Sequence, residues 1–180
     1  MNVLILAVEF VGFMAFLYIA LRLLYMYLRF NVLEIFLSTV SFFFLSISQL
    51  CALLSIIYSD IKVSTALYVA TATTAIVAFF IMIIQRHSNR GLLYTFITFS
   101  SLLLMAPDAI AGILSTYIAL YANGCTKTLL AILSISYYLR AVSVMVSIEL
   151  SPIVLLIAEL IRCISAVTLA VYSSIKVFKS

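Results

Sequence analysis

Charged residues are scarce in this sequence. Asp, Glu, Lys and Arg together make up 9% of the 180 residues, whereas about a quarter of the residues of a soluble domain are charged. This composition excludes an ordinary soluble domain. The net charge of +4 is what a few Lys and Arg at helix ends produce, so we expect no nucleic-acid partner.

Residue types that catalytic and cofactor sites require are also rare. The chain has four glycines and no Gly-rich phosphate loop, and its one histidine, His87, excludes bis-histidine haem and histidine metal clusters. Three cysteines, Cys51, Cys125 and Cys163, lie far apart without a C-x-x-C motif, and G-x-S-x-G is absent. We therefore predict that the protein is not an enzyme and holds no cofactor and no metal.

Apolar residues, by contrast, dominate the whole chain. They make up 67% of the sequence, the mean hydropathy is +1.33, and roughly 20 apolar residues suffice to cross a bilayer core of about 30 Å. No Lys or Arg precedes the first apolar run, which is too long for a signal peptide and is expected to be retained. The sequence predicts an all-α polytopic protein of the cell membrane, one transmembrane helical bundle over residues 1–180 without a soluble domain.

Short polar breaks divide the apolar sequence into spans. The predicted spans are residues 3–21 or slightly longer, 32–58, 63–84, 127–149 and 152–175, together with one or two spans within 91–122. The number of spans in this last segment depends on whether the chain turns at Pro107 and Asp108. A proline in the first turn of a helix costs no hydrogen bond, and an aspartate there complements the positive helix end, so the pair favours a turn between two short helices.

The distribution of positive charge also distinguishes six spans from seven. With a single kinked helix over 91–122, four of the Lys and Arg near helix ends would lie on each side. With a turn at Pro107, seven would share one side and only Lys62 would lie opposite. Because positive charge concentrates on the cytoplasmic side, we predict seven spans with the amino terminus outside and the carboxyl terminus cytoplasmic. Six spans, or a re-entrant hairpin, are the alternatives.

Several ionisable residues fall inside the predicted spans. Ionised side chains within a bilayer cost about 2.5–3.5 kcal/mol each, so they face the bundle interior and pair. Counting 1.5 Å per residue puts Glu9, Arg140 and Glu159 about 10–13 Å below the outer edge and Arg162 one turn further in. This predicts a buried polar cluster of Glu9, Arg140, Glu159 and Arg162. Asp108 and Glu149 are expected above the cluster, at its outer mouth.

Two classes of function agree with these expectations. In the first, the protein is a translocation component: a small permease or channel, or the membrane-embedded subunit of a transport or secretion machine, with the cluster lining a polar path. In the second, the cluster only fixes helix register, and the protein is a structural accessory subunit of a larger membrane complex, such as a respiratory one, or a seven-helix sensor. The expected partners are the lipid bilayer and either other membrane subunits or further copies of the chain.

Overall fold

The computed structural model describes residues 2–58, 60–86, 107–143 and 150–178, and these residues are almost entirely α-helical. The six described helices are α1 (Asn2–Phe30), α2 (Leu33–Ile57), α3 (Ile61–Arg86), α4 (Pro107–Tyr121), α5 (Gly124–Ser143) and α6 (Ser151–Phe178). The expected span over 91–106 and the end of the span predicted at 127–149 lie outside the described residues.

Four of the six helices are long and apolar enough to cross a membrane. They are Val3–Phe30, Leu33–Ile57, Ile61–Gln85 and Ser151–Ile175. Large apolar side chains such as Phe10, Phe43 and Ile164 are exposed on their outer faces, as lipid contact requires. The prediction of an all-helical protein of membrane type is therefore confirmed, whereas the seven spans and their orientation remain predictions.

The turns between the first three helices are short and have clear local causes. Helix α1 continues to Phe30, beyond the predicted end near residue 21, and stops because Asn31 adopts a left-handed conformation with φ of 50°, which asparagine tolerates better than most residues. The backbone N–H of Asn31 donates to the carbonyl of Tyr27 at 2.7 Å. At the start of α3, the Asp60 carboxylate accepts from the backbone N–H of Lys62 at 2.9 Å, as an N-terminal cap does.

The described helices form a closed ring. Each packs against its neighbours in chain order, and α6 packs against α1. Side chains also join α1 to α6: the Arg22 Nη2 donates to the carbonyl of Ser174 at 3.0 Å, and the hydroxyls of Tyr18 and Ser174 lie 2.9 Å apart. All six described helices contribute buried side chains to the interior of the ring, which we call the lumen.

Candidate functional site

Glu159 on α6 joins two buried arginines. Its Oε1 accepts a hydrogen bond from Arg140 Nη1 on α5 at 2.9 Å, and its Oε2 accepts one from Arg162 Nη2, one turn further along α6. All three side chains are 5% exposed or less. Hydrogen bonds between ions are among the strongest in proteins, and here they tie α5 to α6.

Helices α1 and α2 add a carboxylate and an amide to the same group. Arg162 Nη2 donates to Glu9 Oε1 at 2.8 Å. The Gln49 amide lies between these two residues: its nitrogen donates to the second Glu9 oxygen, and its oxygen accepts from Arg162 Nε at 2.6 Å, the orientation that gives both neighbours a complementary partner. Gly12 leaves room for this contact, since a Cβ there would lie 2.9 Å from the amide end of the Gln49 side chain.

Asp108 on α4 belongs to the same group of side chains. Its Oδ2 accepts from the Tyr68 hydroxyl on α3 at 2.6 Å, and its Oδ1 lies 3.5 Å from Arg140 Nε. The Arg140 guanidinium also lies over the Tyr68 ring, 4.8 Å from its centroid, in a cation–π arrangement. Asp108 is only 3% exposed and therefore sits among the cluster residues, not above them at a mouth as expected.

The depth of Asp108 follows from its partner on α3. Tyr68 is the eighth residue of α3, whereas Asp108 is the second residue of α4. Because these two side chains meet, helix α4 begins further into the bundle than α3. The expectation for Asp108 differs from the structure because it assumed that α4 begins at the same level as the other helices.

These contacts define one network to which every described helix contributes at least one side chain. We call it the network; its members are Glu9, Gln49, Tyr68, Asp108, Arg140, Glu159 and Arg162. It holds three carboxylates and two guanidiniums. The structure brings together the four residues of the predicted cluster and adds Asp108, while Glu149 lies outside the described residues.

Sequence reasoning missed two members, Gln49 and Tyr68, which carry no charge. Gln49 is the one side-chain amide within the 25 residues of α2, so its polarity was a usable signal. Tyr68 offered none, because the sequence contains 11 tyrosines and tyrosine is common at membrane interfaces.

The other end of the ring contains a cavity of about 430 Å³. Its polar lining comes from Glu34 and Ser38 near the start of α2, Gln85 at the end of α3 and Thr126 at the start of α5. The Gln85 amide donates to the Glu34 carbonyl at 2.9 Å and accepts from the Ser38 hydroxyl at 3.1 Å. The cavity is completed by apolar side chains, namely Phe42, Met82, Ile118, Leu130 and Leu169.

A largely apolar layer lies between the network and the cavity, and the hydroxyl groups of Ser115, Ser134 and Ser165 are buried at the same positions along the helices. On each helix that contributes to both, buried side chains occupy the intervening positions. They include Leu45 on α2, Phe79 on α3, Ala111 on α4, Leu133 and Tyr137 on α5, and Ala166 on α6, each at most 1% exposed. Phe79 and Tyr137 meet edge to face with 5.5 Å between ring centroids. The lumen therefore has three levels: network, apolar layer and cavity.

Within the described part of the chain, no group of His, Cys, Asp and Glu side chains could hold a metal ion. The three cysteines are free, and only Cys125 is exposed. In comparisons with known proteins, no family model, no curated protein and no solved structure matches the chain.

Proposed function

We propose that the protein is a translocation component whose polar path runs through the lumen of the helix ring. The observation that carries this proposal is the ionic network buried in the lumen at one end, opposite a cavity and separated from it by one apolar layer. A polar site within the lumen, closed on one side by packed apolar side chains, is the arrangement that a gated path through a membrane requires.

The charge of the network favours a cationic substrate over an anionic one. With all its side chains ionised, the network has three negative and two positive charges. An added anion would increase the unpaired negative charge, whereas a proton or a cation would neutralise it. The Glu34 carboxylate on the cavity wall has the same sign.

The start of α4 gives this proposal further support. Helices that begin within the membrane are tolerated where they are buried in protein or line a polar path, and they occur at the binding sites of transporters. Helix α4 begins at the level of the network, and Asp108 lies in its first turn. The positive end of this helix therefore faces Asp108 and the side chains around it.

We further propose that the chain crosses the cell membrane seven times, with the amino terminus outside and the network in the outer half. Supporting this, Gln85 at the end of α3 and Thr126 at the start of α5 line the same cavity, so the chain between them leaves that end of the ring and returns to it. Helix α4, with 15 residues, makes the return. A re-entrant hairpin over 91–122, which entered and left the membrane on the cytoplasmic side, would place the Lys and Arg residues on the same sides as seven spans do.

Proton flux into liposomes tests the proposed function. The purified protein is reconstituted into liposomes that contain a pH-sensitive dye, and a potassium gradient with valinomycin imposes an inside-negative potential. We expect the internal pH to fall faster than in protein-free liposomes. Glu9→Gln should reduce this flux to the protein-free rate, whereas Asp60→Asn, which changes an exposed cap outside the network, should leave it unchanged. Equal rates in all four preparations, with no Na⁺ or K⁺ flux, would contradict translocation by this chain alone.

A second candidate function has one specific observation in its favour. The network ties together all six described helices, and this is what a structural lock in an accessory subunit would do, because buried ionic groups can specify helix arrangement while adding little stability. Native mass measurement in mild detergent separates the candidates. A stable complex with other membrane subunits and no flux would support the accessory role, whereas an oligomer of this chain with flux would support an autonomous transporter.

A further inference from the structure

We propose that the network holds one exchangeable proton, shared between the facing carboxyl groups of Glu9 and Glu159 and carried mainly by Glu9. This inference names the ligand of the proposed path, and its role in transport rests on the proposed function. The proton site itself follows from the contacts within the network.

The first step is the charge of the buried group. Glu9, Asp108 and Glu159 face Arg140 and Arg162, and their exposed fractions are between 2% and 4%. An unpaired charge in such a site is expensive, and a buried acid usually neutralises by binding a proton instead. Among the described residues, no lysine or histidine contacts the network, so none of their cations other than Arg140 and Arg162 balances the surplus carboxylate.

The second step is the short separation of two carboxyl groups. Arg162 Nη2 contacts both Glu9 Oε1 and Glu159 Oε2, so the two carboxyl groups meet at one nitrogen and lie within hydrogen-bonding reach of each other. Two carboxylates that share a site do not both ionise readily, because each destabilises the negative charge of the other. One proton between them turns this repulsion into a hydrogen bond.

The third step identifies the carboxyl group that carries the proton. Glu159 accepts from both arginines, so its negative charge is the best compensated. Asp108 accepts from Tyr68, lies 3.5 Å from Arg140 Nε and sits in the first turn of α4, where the helix end stabilises an anion. Glu9 accepts one hydrogen bond from Arg162 and one from the Gln49 amide, lies two turns inside α1, and is not contacted by Arg140. Of the two carboxyl groups that meet at Arg162, Glu9 is therefore the less stabilised anion.

The surroundings of Glu9 suit a group that gains and loses a proton. Helix α1 packs against α2 and α6, and the polar groups that face Glu9 from them are Gln49 on α2 and Glu159, Arg162 and Cys163 on α6. The Gln49 amide carries both a donor and an acceptor. Its nitrogen can donate to the Glu9 carboxylate and equally to the carbonyl oxygen of the protonated acid, while its oxygen keeps the hydrogen bond from Arg162 Nε.

Infrared spectroscopy of the isolated protein in lipid tests the proton site without any transport measurement. A protonated carboxylic acid has a carbonyl stretch well separated from that of a carboxylate, and the band shifts in deuterated water. We expect this band in the wild-type protein at neutral pH. It should disappear in Glu9→Gln and persist in Asp60→Asn, which changes an exposed carboxylate outside the network. Absence of the band, or its persistence in Glu9→Gln, would overturn the proposal. If the band were absent and Na⁺ raised the unfolding temperature, a sodium ion and not a proton would balance the network.

Thermal stability provides an independent readout. The neutral amide of Glu9→Gln imitates the protonated acid, so this variant should unfold at nearly the wild-type temperature. Glu159→Gln removes the charge between the two arginines and should unfold at a clearly lower temperature. Equal losses in both variants, or failure of Glu9→Gln alone to fold, would overturn the assignment to Glu9. Detection of the infrared band without proton flux would support the proton site and contradict the proposed function. Proton flux without the band would support the proposed function and contradict the proton site.

Discussion

Glu159 is the residue on which both arginines of the network depend. Arg140 donates to one of its oxygens and Arg162 to the other, and the two guanidiniums lie close enough to repel each other when this carboxylate is absent. Removing one partner of a buried ionic group is costly because the remaining charge stays out of water without compensation.

We predict that Glu159→Ala lowers the free energy of unfolding by about 3–5 kcal/mol, the usual cost of leaving a buried charge unpaired. Denaturation in mixed micelles measures the change. Glu34→Ala is the matched control, because the Glu34 side chain is exposed and its loss from the first turn of α2 should cost only about 0.3–1 kcal/mol. Equal effects of the two substitutions would mean that the network does not stabilise the fold.

Gly12 and Gln49 are a second pair of residues that depend on each other, because the Gln49 amide occupies the space that Gly12 leaves free. A Cβ at Gly12 would lie 2.9 Å from the Gln49 amide, so Gly12→Ala should displace that amide from Glu9 and Arg162. We predict a loss of stability in the order of 1–3 kcal/mol, and a smaller loss when the same substitution is made in a Gln49→Ala background. A double-mutant cycle measures the coupling. Strict additivity would show that the glycine is not there to make room for the amide.

At the scale of the element, α4 is the unusual helix. It is the shortest of the six described helices, and it begins at the level of the network, below the first turn of α3. Its close approach to α5 depends on Gly112, where a Cβ would lie 2.9 Å from the Tyr138 ring. Small residues at such contacts supply much of the packing attraction between helices in lipid.

Gly112→Leu should therefore push α4 away from α5 and destabilise the protein by about 1–3 kcal/mol, as overpacking does. Ile113→Leu is the matched control, because Ile113 is 55% exposed on the outer face of the same helix. Thermal unfolding in detergent compares the two variants. If Gly112→Leu were as stable as the control, the close contact between α4 and α5 would be unnecessary for the fold.

At the scale of the whole molecule, the turn before α2 and the turn before α5 belong to the same end of the ring, because residues just after each turn line one cavity. We predict that Cys125 and a cysteine introduced by Val32→Cys react from the same, cytoplasmic side. Cys125 is natively exposed and free, so it serves as its own reporter once Cys51 and Cys163 are replaced by alanine.

The measurement is labelling by a membrane-impermeant maleimide in intact and in permeabilised cells. Cys125 alone, or Val32→Cys with Cys125→Ser, should label only after permeabilisation, whereas Lys62→Cys on the opposite loop should label in intact cells. If Cys125 labelled together with Lys62→Cys while Val32→Cys stayed protected, residues 91–122 would cross the membrane once and the chain would have six spans.

The features that could be predicted from sequence depend on helical geometry, and those that could not depend on packing. The equal depth of Arg140 and Glu159 follows from a fixed rise per residue on either side of one turn, and their placement with Glu9 and Arg162 needed only the cost of charge in lipid. The depth of Asp108 was missed because it depends on where α4 sits against α3. The cavity and the roles of Gln49 and Tyr68 are likewise products of side-chain packing.

The closure of the ring by α1 and α6 has a consequence for biosynthesis. Glu9 is bonded to Arg162, 153 residues later in the chain, so a ribosome inserts α1 into the bilayer long before its ionic partner exists. Until α6 is inserted, Glu9 and Arg140 both lack their principal counter-charges. A nascent chain interrupted before α6 would thus expose unpaired polar groups to lipid, a defect that membrane quality-control proteases could recognise.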